Sequence, residues 1–545
     1  MNGAEFVVEC LKKEGVRQLF GYPGGAVIPL YDALYNVSDI KHIRPCHEQG
    51  AIHAADGYAR ATGNIGVCIA TSGPGATNIL TGLATAYIDS IPLVVITGQV
   101  GSGMLGKDSF QEVDITGMTM SCTKHNMLVK EADELGAALA EAFYMAKEGR
   151  PGPVLVDITK SAFVSDVTNL TYSPKKVFAQ FDTPESNIKL KKQLDKLVEL
   201  INNNEKVVVY AGGGIISGNH SQALRAFIQH SKLPLCNSLM GLGSYDRTDL
   251  LSYGIVGMHG DVAANELCYH ADVIVGIGVR FSDRAIGHRN GFSKQAHLVH
   301  IDIDDSEFGK NVDSVLNIKG DYSAILAYLM SYILPKGEDW SRKTLPEAEK
   351  SKPQKLMEQV ASYMPADTIV VTDVGQHQMW AAKYWTLRYP RTFITSGGFG
   401  TMGFGMGAAM GVKCGKPTKE VILITGDGSF RMNQHELLTL SKYKIPVTVL
   451  LLNNHTLGMV RQWQAMFQQE RYSETDVNDG LDVKLLCAAY GVNYAYADDD
   501  ESLRIAFEER DAAKITVIEY LLDKDERVYP IVPAGGGVHE YIMKA

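Results

Sequence analysis

Two short motifs near the C-terminal end combine residue types that can hold a hard cation. Gly426-Asp427-Gly428 follows the apolar run VILIT, and Asn453-Asn454 follows the apolar run VTVLLL. The chain between Asp427 and Asn454 has room for one helix and one return strand. Each motif therefore stands just past the C-terminal end of a parallel strand, where open α/β sheets bind ligands. A carboxylate and an amide oxygen placed there suit Mg²⁺, with a diphosphate completing its shell. The Gly-rich turn opening a helix at GDGSFRMNQHELLTL offers backbone N–H groups to such a phosphate. A lone GDG is only a tight turn. GDG and NN together, each behind a buried strand, point to a diphosphate ligand.

Elements of the right kind to position these motifs recur along the chain. The runs IGVCIAT, IPLVVITG, GPVLVDI, KVVVYAG, ADVIVGIG, LVHIDID, TIVVTD, VILITG and VTVLLLN are β-branched, apolar throughout and bounded by Gly, Pro or Asp. Such runs indicate parallel strands buried on both faces, alternating with helices. The fold class is α/β, with doubly wound parallel sheets. At 545 residues the chain is too long for one core. Polar, Pro-containing stretches at 164–187 and 335–354 read as linkers. They divide the chain into 1–163, 188–334 and 355–545. TSGPGATNILTGLATA at 71–86 and TSGGFGTMGFGMGAAM at 395–410 are each a Thr-Ser-Gly turn opening a small-residue helix. Either this is chance similarity of two turns, or the outer domains share one fold.

Net charge is −10, against a nucleic-acid or membrane-surface partner. No apolar run approaches a membrane span. The N-terminal MNGAEFVVECLKKEGV reads as an amphipathic helix without signal-peptide features. The eight cysteines form no CxxC pair and read as reduced thiols of a cytoplasmic protein. Taken singly, several residues are ambiguous. Glu48 in CHEQGAIHAADGYARATG could be a helix cap. Gly24-Gly25 in FGYPGG could be a plain turn. Trp463 could be core packing, and the glycines of the middle domain could be vestigial Rossmann turns.

The order of motifs removes much of that ambiguity. With FGYPGG, HEQGA, TSGPGATN, DSFQE, GMHG, GVRFSDR, TSGGFGTMGFG, GDG…NN and NNHTLGMVRQW, the chain resembles the catalytic subunits of acetohydroxyacid synthases (acetolactate synthases) nearly end to end. That resemblance implies thiamin diphosphate, Mg²⁺ and FAD as cofactors. It implies two thiamin-diphosphate-binding domains flanking a Rossmann-like FAD domain. The implied reaction is decarboxylation of pyruvate and transfer of its two-carbon unit to a second 2-ketoacid, at the first common step of branched-chain amino acid synthesis. Pyruvate as acceptor gives 2-acetolactate; 2-ketobutyrate gives 2-aceto-2-hydroxybutyrate.

The resemblance also implies residue roles. Glu48 of one subunit would bind the aminopyrimidine ring and promote loss of the thiazolium C2 proton. Tyr22, Pro74 and Asn78 would line that side. The other subunit would supply Asp427, Asn454 and the Thr456 carbonyl to Mg²⁺. Gln376, His377, Gly400, Met402, Gly426, Gly428, Ser429 and Met459 would hold the rest of the cofactor. Gly25 and Gln111 would sit near the reacting oxygens, with Lys160 close by. Arg284 would pair with the acceptor carboxylate, and Trp463 would favour the larger acceptor. FAD would be structural, held by Arg150, Gly212, Gly213, Gly214, Ser238, Leu239, Met240, Gly278, Arg280, Asp302, Ile303, Asp304 and Asp321. A homodimer or homotetramer with interfacial active sites is implied, with a small regulatory subunit as a further partner.

Several positions depart from the family pattern. Gly101 stands for Pro, Ser282 for an acid, Thr159 and Ser161 flank the retained Lys160, and Arg431 stands for Gln. Met406-Gly407 replaces Leu-Pro and is expected to loosen its helix. These leave room for another thiamin enzyme, such as a pyruvate oxidase or an acyl-CoA or sulfoacetaldehyde enzyme. A nicotinamide dehydrogenase or a non-catalytic nucleotide-binding protein would account for the middle domain alone.

Overall fold

The computed structural model describes residues 1–167, 171–176, 183–184, 186–288, 291–337 and 349–543. The expected linkers at 164–187 and 335–354 lie partly outside these residues. Val167 and Tyr172, within the first of them, are buried against the first sheet's core.

Three six-stranded sheets follow one another, every pairing parallel. The first holds β1 (Gln18–Gly21), β2 (Lys41–Ile43), β3 (Gly66–Ala70), β4 (Leu93–Gln99), β5 (His125–Val129) and β6 (Pro153–Thr159), in the order β2-β1-β3-β4-β6-β5. The third holds β13 (Ile369–Thr372), β14 (Phe393–Ile394), β15 (Val421–Gly426), β16 (Thr448–Asn453), β17 (Asn493–Ala497) and β18 (Thr516–Leu521), in the order β14-β13-β15-β16-β18-β17. Counted from its own first strand, each sheet has the same order. The two Thr-Ser-Gly turns thus belong to two copies of one topology, which chance similarity of two turns would not produce.

The middle sheet differs. It holds β7 (Val207–Ala211), β8 (Leu235–Asn237), β9 (Ser252–Ile255), β10 (Val273–Ile277), β11 (His297–Asp302) and β12 (Leu316–Lys319), in the order β12-β11-β10-β7-β8-β9. That is the order of dinucleotide-binding sheets, with the switch point between β7 and β10.

The outer domains share a core. Its helix pair is Glu48–Thr62 against Phe404–Gly415, and small residues let the backbones touch. A Cβ added to Gly57 would lie 2.2 Å from the Ala408 carbonyl oxygen, and one on Gly411 1.8 Å from that of Ala54. Gly407 is part of this contact, 2.8 Å by the same measure from the Gly50 carbonyl oxygen. The expected loosening is not seen: the helix runs unbroken through Met406, which is buried. Glycine here serves close approach rather than flexibility.

Candidate active site and dinucleotide cavity

β15 and β16 pair with Gly426 opposite Leu452, so their C-terminal ends lie side by side. Asp427 opens the helix Asp427–Asn433 beyond one, and Asn454 follows the other. Asp427, Asn454 and Thr456 are all buried. The inward atom of the Asn454 amide lies 3.3 Å from Asp427 Oδ1 and 2.9 Å from the Thr456 carbonyl oxygen. With the amide nitrogen inward it would donate to both; with the oxygen inward it accepts only the Thr456 N–H, at 3.4 Å, and three oxygens converge in a cluster that fits a cation. Asp427 Oδ2 has no partner. Burial pushes the Asp427 pKa from 3.8 up to about 6, the mark of a carboxyl whose counter-charge has to be supplied. Thr456 is fixed by donating its hydroxyl to the Thr475 carbonyl at 2.7 Å. One carboxylate, one amide and one carbonyl suit Mg²⁺.

A cradle surrounds this cluster. Gln376 and His377 start the helix Gln376–Tyr384. His377 Nε2 is buried without a partner, and burial pushes the imidazole down to about 3, so it is neutral. A Cβ on Gly426 would lie 2.9 Å from His377 Nδ1; one on Gly428 would lie 2.5 Å from Leu457 and 3.7 Å from the Met402 methyl. Ser429 donates to the Val374 carbonyl at 3.0 Å. Asp373 accepts from the Gly403 N–H at 2.8 Å and the Gly405 N–H at 3.1 Å, fixing the turn that carries Met402. Nothing in the sequence marked Asp373, because its partners are backbone groups.

Glu48 begins the helix Glu48–Thr62, whose cap is His47. Asn78 donates to Glu48 Oε2 at 2.9 Å, and the Cβ position of Gly75, next to Pro74, is 3.2 Å from Glu48 Oε1. The Arg44 guanidinium lies over the Tyr22 ring at 5.4 Å. Gly25 faces open space. Gln111, with φ of 59°, backs onto Gly73, whose Cβ position is 2.9 Å from the Gln111 carbonyl oxygen. Lys160 is exposed at the start of the helix Lys160–Val164. The Glu48 group thus stands on the first domain and the Asp427 group on the third.

A cavity of about 800 Å³ runs between the three domains. Of the residues expected at FAD, Arg150, Gly213, Gly214, Ser238, Leu239, Met240, Gly278, Arg280, Asp302 and Ile303 line it. Gly212 lies behind it, its Cβ position 2.0 Å from the Gly278 carbonyl oxygen. Asp321 caps the helix Tyr322–Tyr332 instead, and Asp304 pairs with Arg150 at 3.2 Å. Arg280 is a cation with only a long ion pair. Burial lowers its pKa, and its nearest carboxylate, Asp89, is 3.8 Å away. The glycine turns of β7 and β10 meet at the switch point, and with Arg280 they fit the diphosphate of a dinucleotide such as FAD. The other end of the cavity reaches Gly400, Met459, Trp463 and Arg284. Sequence reasoning missed Asp89, Glu307 and Lys383, which also line it. Met258 and His259 lie there too, within the quoted GMHG.

Two domains of matched topology, one with an oxygen cluster at its strand ends and the other with a half-buried carboxyl at a helix start, are the arrangement of a thiamin-diphosphate enzyme. Family profiles agree. "Thiamine pyrophosphate enzyme, N-terminal TPP binding domain" matches residues 1–118, the central domain 194–329 and the C-terminal TPP binding domain 373–520. An acetolactate synthase large subunit of Lactococcus lactis is 41% identical over 547 residues, covering 98% of this chain and 95% of the relative. Isozyme 2 of Escherichia coli, also a large subunit, is 41% identical over all of both chains. A probable acetolactate synthase large subunit of Methanocaldococcus jannaschii is 41% identical over 98% of this chain and 94% of its own. The chain belongs to the acetolactate synthase large-subunit family of thiamine pyrophosphate enzymes. No helix among the described residues is long and apolar enough to cross a membrane.

Proposed function

We propose that this chain forms 2-acetolactate from two molecules of pyruvate, and 2-aceto-2-hydroxybutyrate when 2-ketobutyrate is the acceptor. The proposed setting is the first common step of branched-chain amino acid synthesis in the cytoplasm. Thiamin diphosphate, when bound, supplies the nucleophilic carbon and the electron sink for decarboxylation. Asp427, Asn454 and the Thr456 carbonyl hold its Mg²⁺. Gln376, His377, Gly426, Gly428 and Ser429 surround the diphosphate. Met402, on the turn fixed through Asp373, would pack against the cofactor. Glu48 acts on the pyrimidine ring as a proton-handling carboxyl, with Asn78 orienting it. Glu48 and Asp427 stand on different domains, and the proposed active unit is a dimer. The Glu48 of one copy serves the Asp427 of the other.

The observation that carries this reading is the continuity of the cavity from Arg150 to Trp463 and Arg284. A dinucleotide along its length would leave the far end for two ketoacids. Arg284 there suits an acceptor carboxylate. Trp463, its ring 5.0 Å from that of Phe467, offers an apolar wall for one extra methyl. Such a contact supports a preference of about 1–3 kcal/mol. Gly25, Gln111 and Lys160 approach from the partner's first domain. FAD serves here as a scaffold, without net redox. A small regulatory subunit fits the large-subunit naming of the relatives.

The test is product analysis. Pure protein with thiamin diphosphate, Mg²⁺, FAD and pyruvate, with and without 2-ketobutyrate, should yield acetohydroxyacids. Acetate or acetyl phosphate with bleaching of the flavin would point to an oxidase instead. Trp463→Leu should lower the preference for 2-ketobutyrate by roughly 10-fold or more.

A further inference from the structure

The helix that starts at Glu48 is held from the third domain. Glu436 opens the helix Glu436–Tyr443 and is 0% exposed. Its Oε2 accepts from the Cys46 N–H at 3.0 Å, and its Oε1 accepts from the His47 N–H at 3.2 Å. Cys46 and His47 are the two residues immediately before Glu48. Glu436 Oε1 also presses on Gly50, where an added Cβ would lie 2.2 Å away. The carboxyl is itself fixed, since Thr439 Oγ1 donates to Oε2 at 2.6 Å. Nearby, Cys46 Sγ donates to the His435 carbonyl at 3.4 Å.

The first N–H groups of a helix have no partner within it, and an acceptor at that end steadies its start. Here acceptors come from a different domain and reach the residues just before the helix. The backbone leading into Glu48 is thereby held at Cys46 and His47, and Glu436 lies close over Gly50 on the first turn after it. Asn78 holds the far end of the Glu48 side chain. Glu436 lies among neither the Mg²⁺ ligands nor the cavity lining.

We propose that Glu436 is a positioning residue: it fixes the backbone from which Glu48 reaches the cofactor's pyrimidine ring. The proposal rests on the role given to Glu48 above. A carboxyl that handles a proton must stand within about 2.6–3.2 Å of its partner. A displacement of about 1 Å can slow such a step roughly 100-fold. A purely structural cap would instead alter stability and leave the step unchanged in each folded, loaded molecule.

The experiment follows exchange of the thiazolium C2 proton of bound thiamin diphosphate with deuterated solvent, in holoenzyme saturated with Mg²⁺ and FAD. Glu436→Gln should slow exchange by about tenfold or more at full cofactor occupancy. The KM for pyruvate should stay within about twofold, since Glu436 does not face the cavity. In a Glu48→Gln background, Glu436→Gln should slow exchange no further, because both act on one step. Wild-type exchange in Glu436→Gln, or slowing that multiplies with that of Glu48→Gln, would overturn the proposal. Should Glu436→Gln fail to fold, Thr439→Val releases the carboxyl and should slow exchange in the same direction; wild-type exchange there would also overturn it. Normal exchange in Glu48→Gln alone would instead remove the reading of Glu48.

Discussion

Asp89 Oδ1 accepts the backbone N–H of Gly398 at 2.9 Å, joining the first domain to the turn that leads to Gly400 and Met402. Asp89 Oδ2 accepts from Gly397 N–H and from Arg60 Nη2, both at 3.1 Å. Arg60 also pairs with Asp56 and donates to the Thr395 carbonyl at 2.9 Å. Arg280 Nη2, from the middle domain, lies 3.8 Å from Asp89 Oδ1. One carboxyl thus ties together the three sheets beside the cavity.

Removing it should be costly. Asp89→Ala strands Arg60 and Arg280 with too little negative charge in a buried place. Loss of one partner of a buried pair typically destabilises by about 3–5 kcal/mol. Urea unfolding should show this as a lower midpoint. An unchanged midpoint would mean that water replaces the carboxyl freely.

Gly411→Ala separates packing from propensity. In an open helix alanine is favoured over glycine by about 1 kcal/mol. Here its methyl would meet the Ala54 carbonyl oxygen, so net destabilisation of about 1–3 kcal/mol is expected. A more stable variant would refute the backbone-to-backbone contact.

Metal removal should release the organic cofactor. With Asp427→Ala the Mg²⁺ cluster loses its only carboxylate. Both this variant and chelator-treated wild type should lose thiamin diphosphate binding in calorimetry, while FAD binding at the Arg150 end of the cavity should persist. Retention of thiamin diphosphate without the metal would argue against the cluster.

Asp157 gives the fold a pH dependence. It accepts from Thr97 Oγ1 at 2.7 Å and from Gln99 Nε2 at 2.9 Å. Burial outweighs these bonds and pushes its pKa from 3.8 up to about 7. Between those values the folded state keeps a proton that the unfolded state releases. Its contribution to stability is therefore full below about 4 and is lost as pH rises through about 7, with a limiting slope of about 1.4 kcal/mol per unit. Asp157→Asn removes the titration. Chemical unfolding between pH 5 and 8 should show wild type losing stability relative to the variant; parallel curves would exclude it.

What was legible in the sequence was what local pattern encodes. β3, β4, β15 and β16 are apolar on both faces, so their runs stand out. The edge strands β5 and β17, HNMLV and NYAYA, are half exposed and carry no such run. β18 was obscured by Glu519, which is buried because Asn453 and the Tyr494 hydroxyl both donate to it at 2.6 Å. Asp427 and Asn454 were legible because each follows a strand. Asp89, Asp373 and Glu436 were not. Each is held by backbone N–H groups, for Asp89 and Glu436 hundreds of residues away, and such partners leave no motif.

The contact between Gly411 and Ala54 limits how the molecule can breathe. At Gly57 and Gly411 the main chains of the two helices meet with no side chain between them, while His53 and Phe404 pack ring to ring beside them at 5.3 Å. A slide of one helix along the other would drive backbone into backbone at these points, so this seam resists shear between the first and third domains.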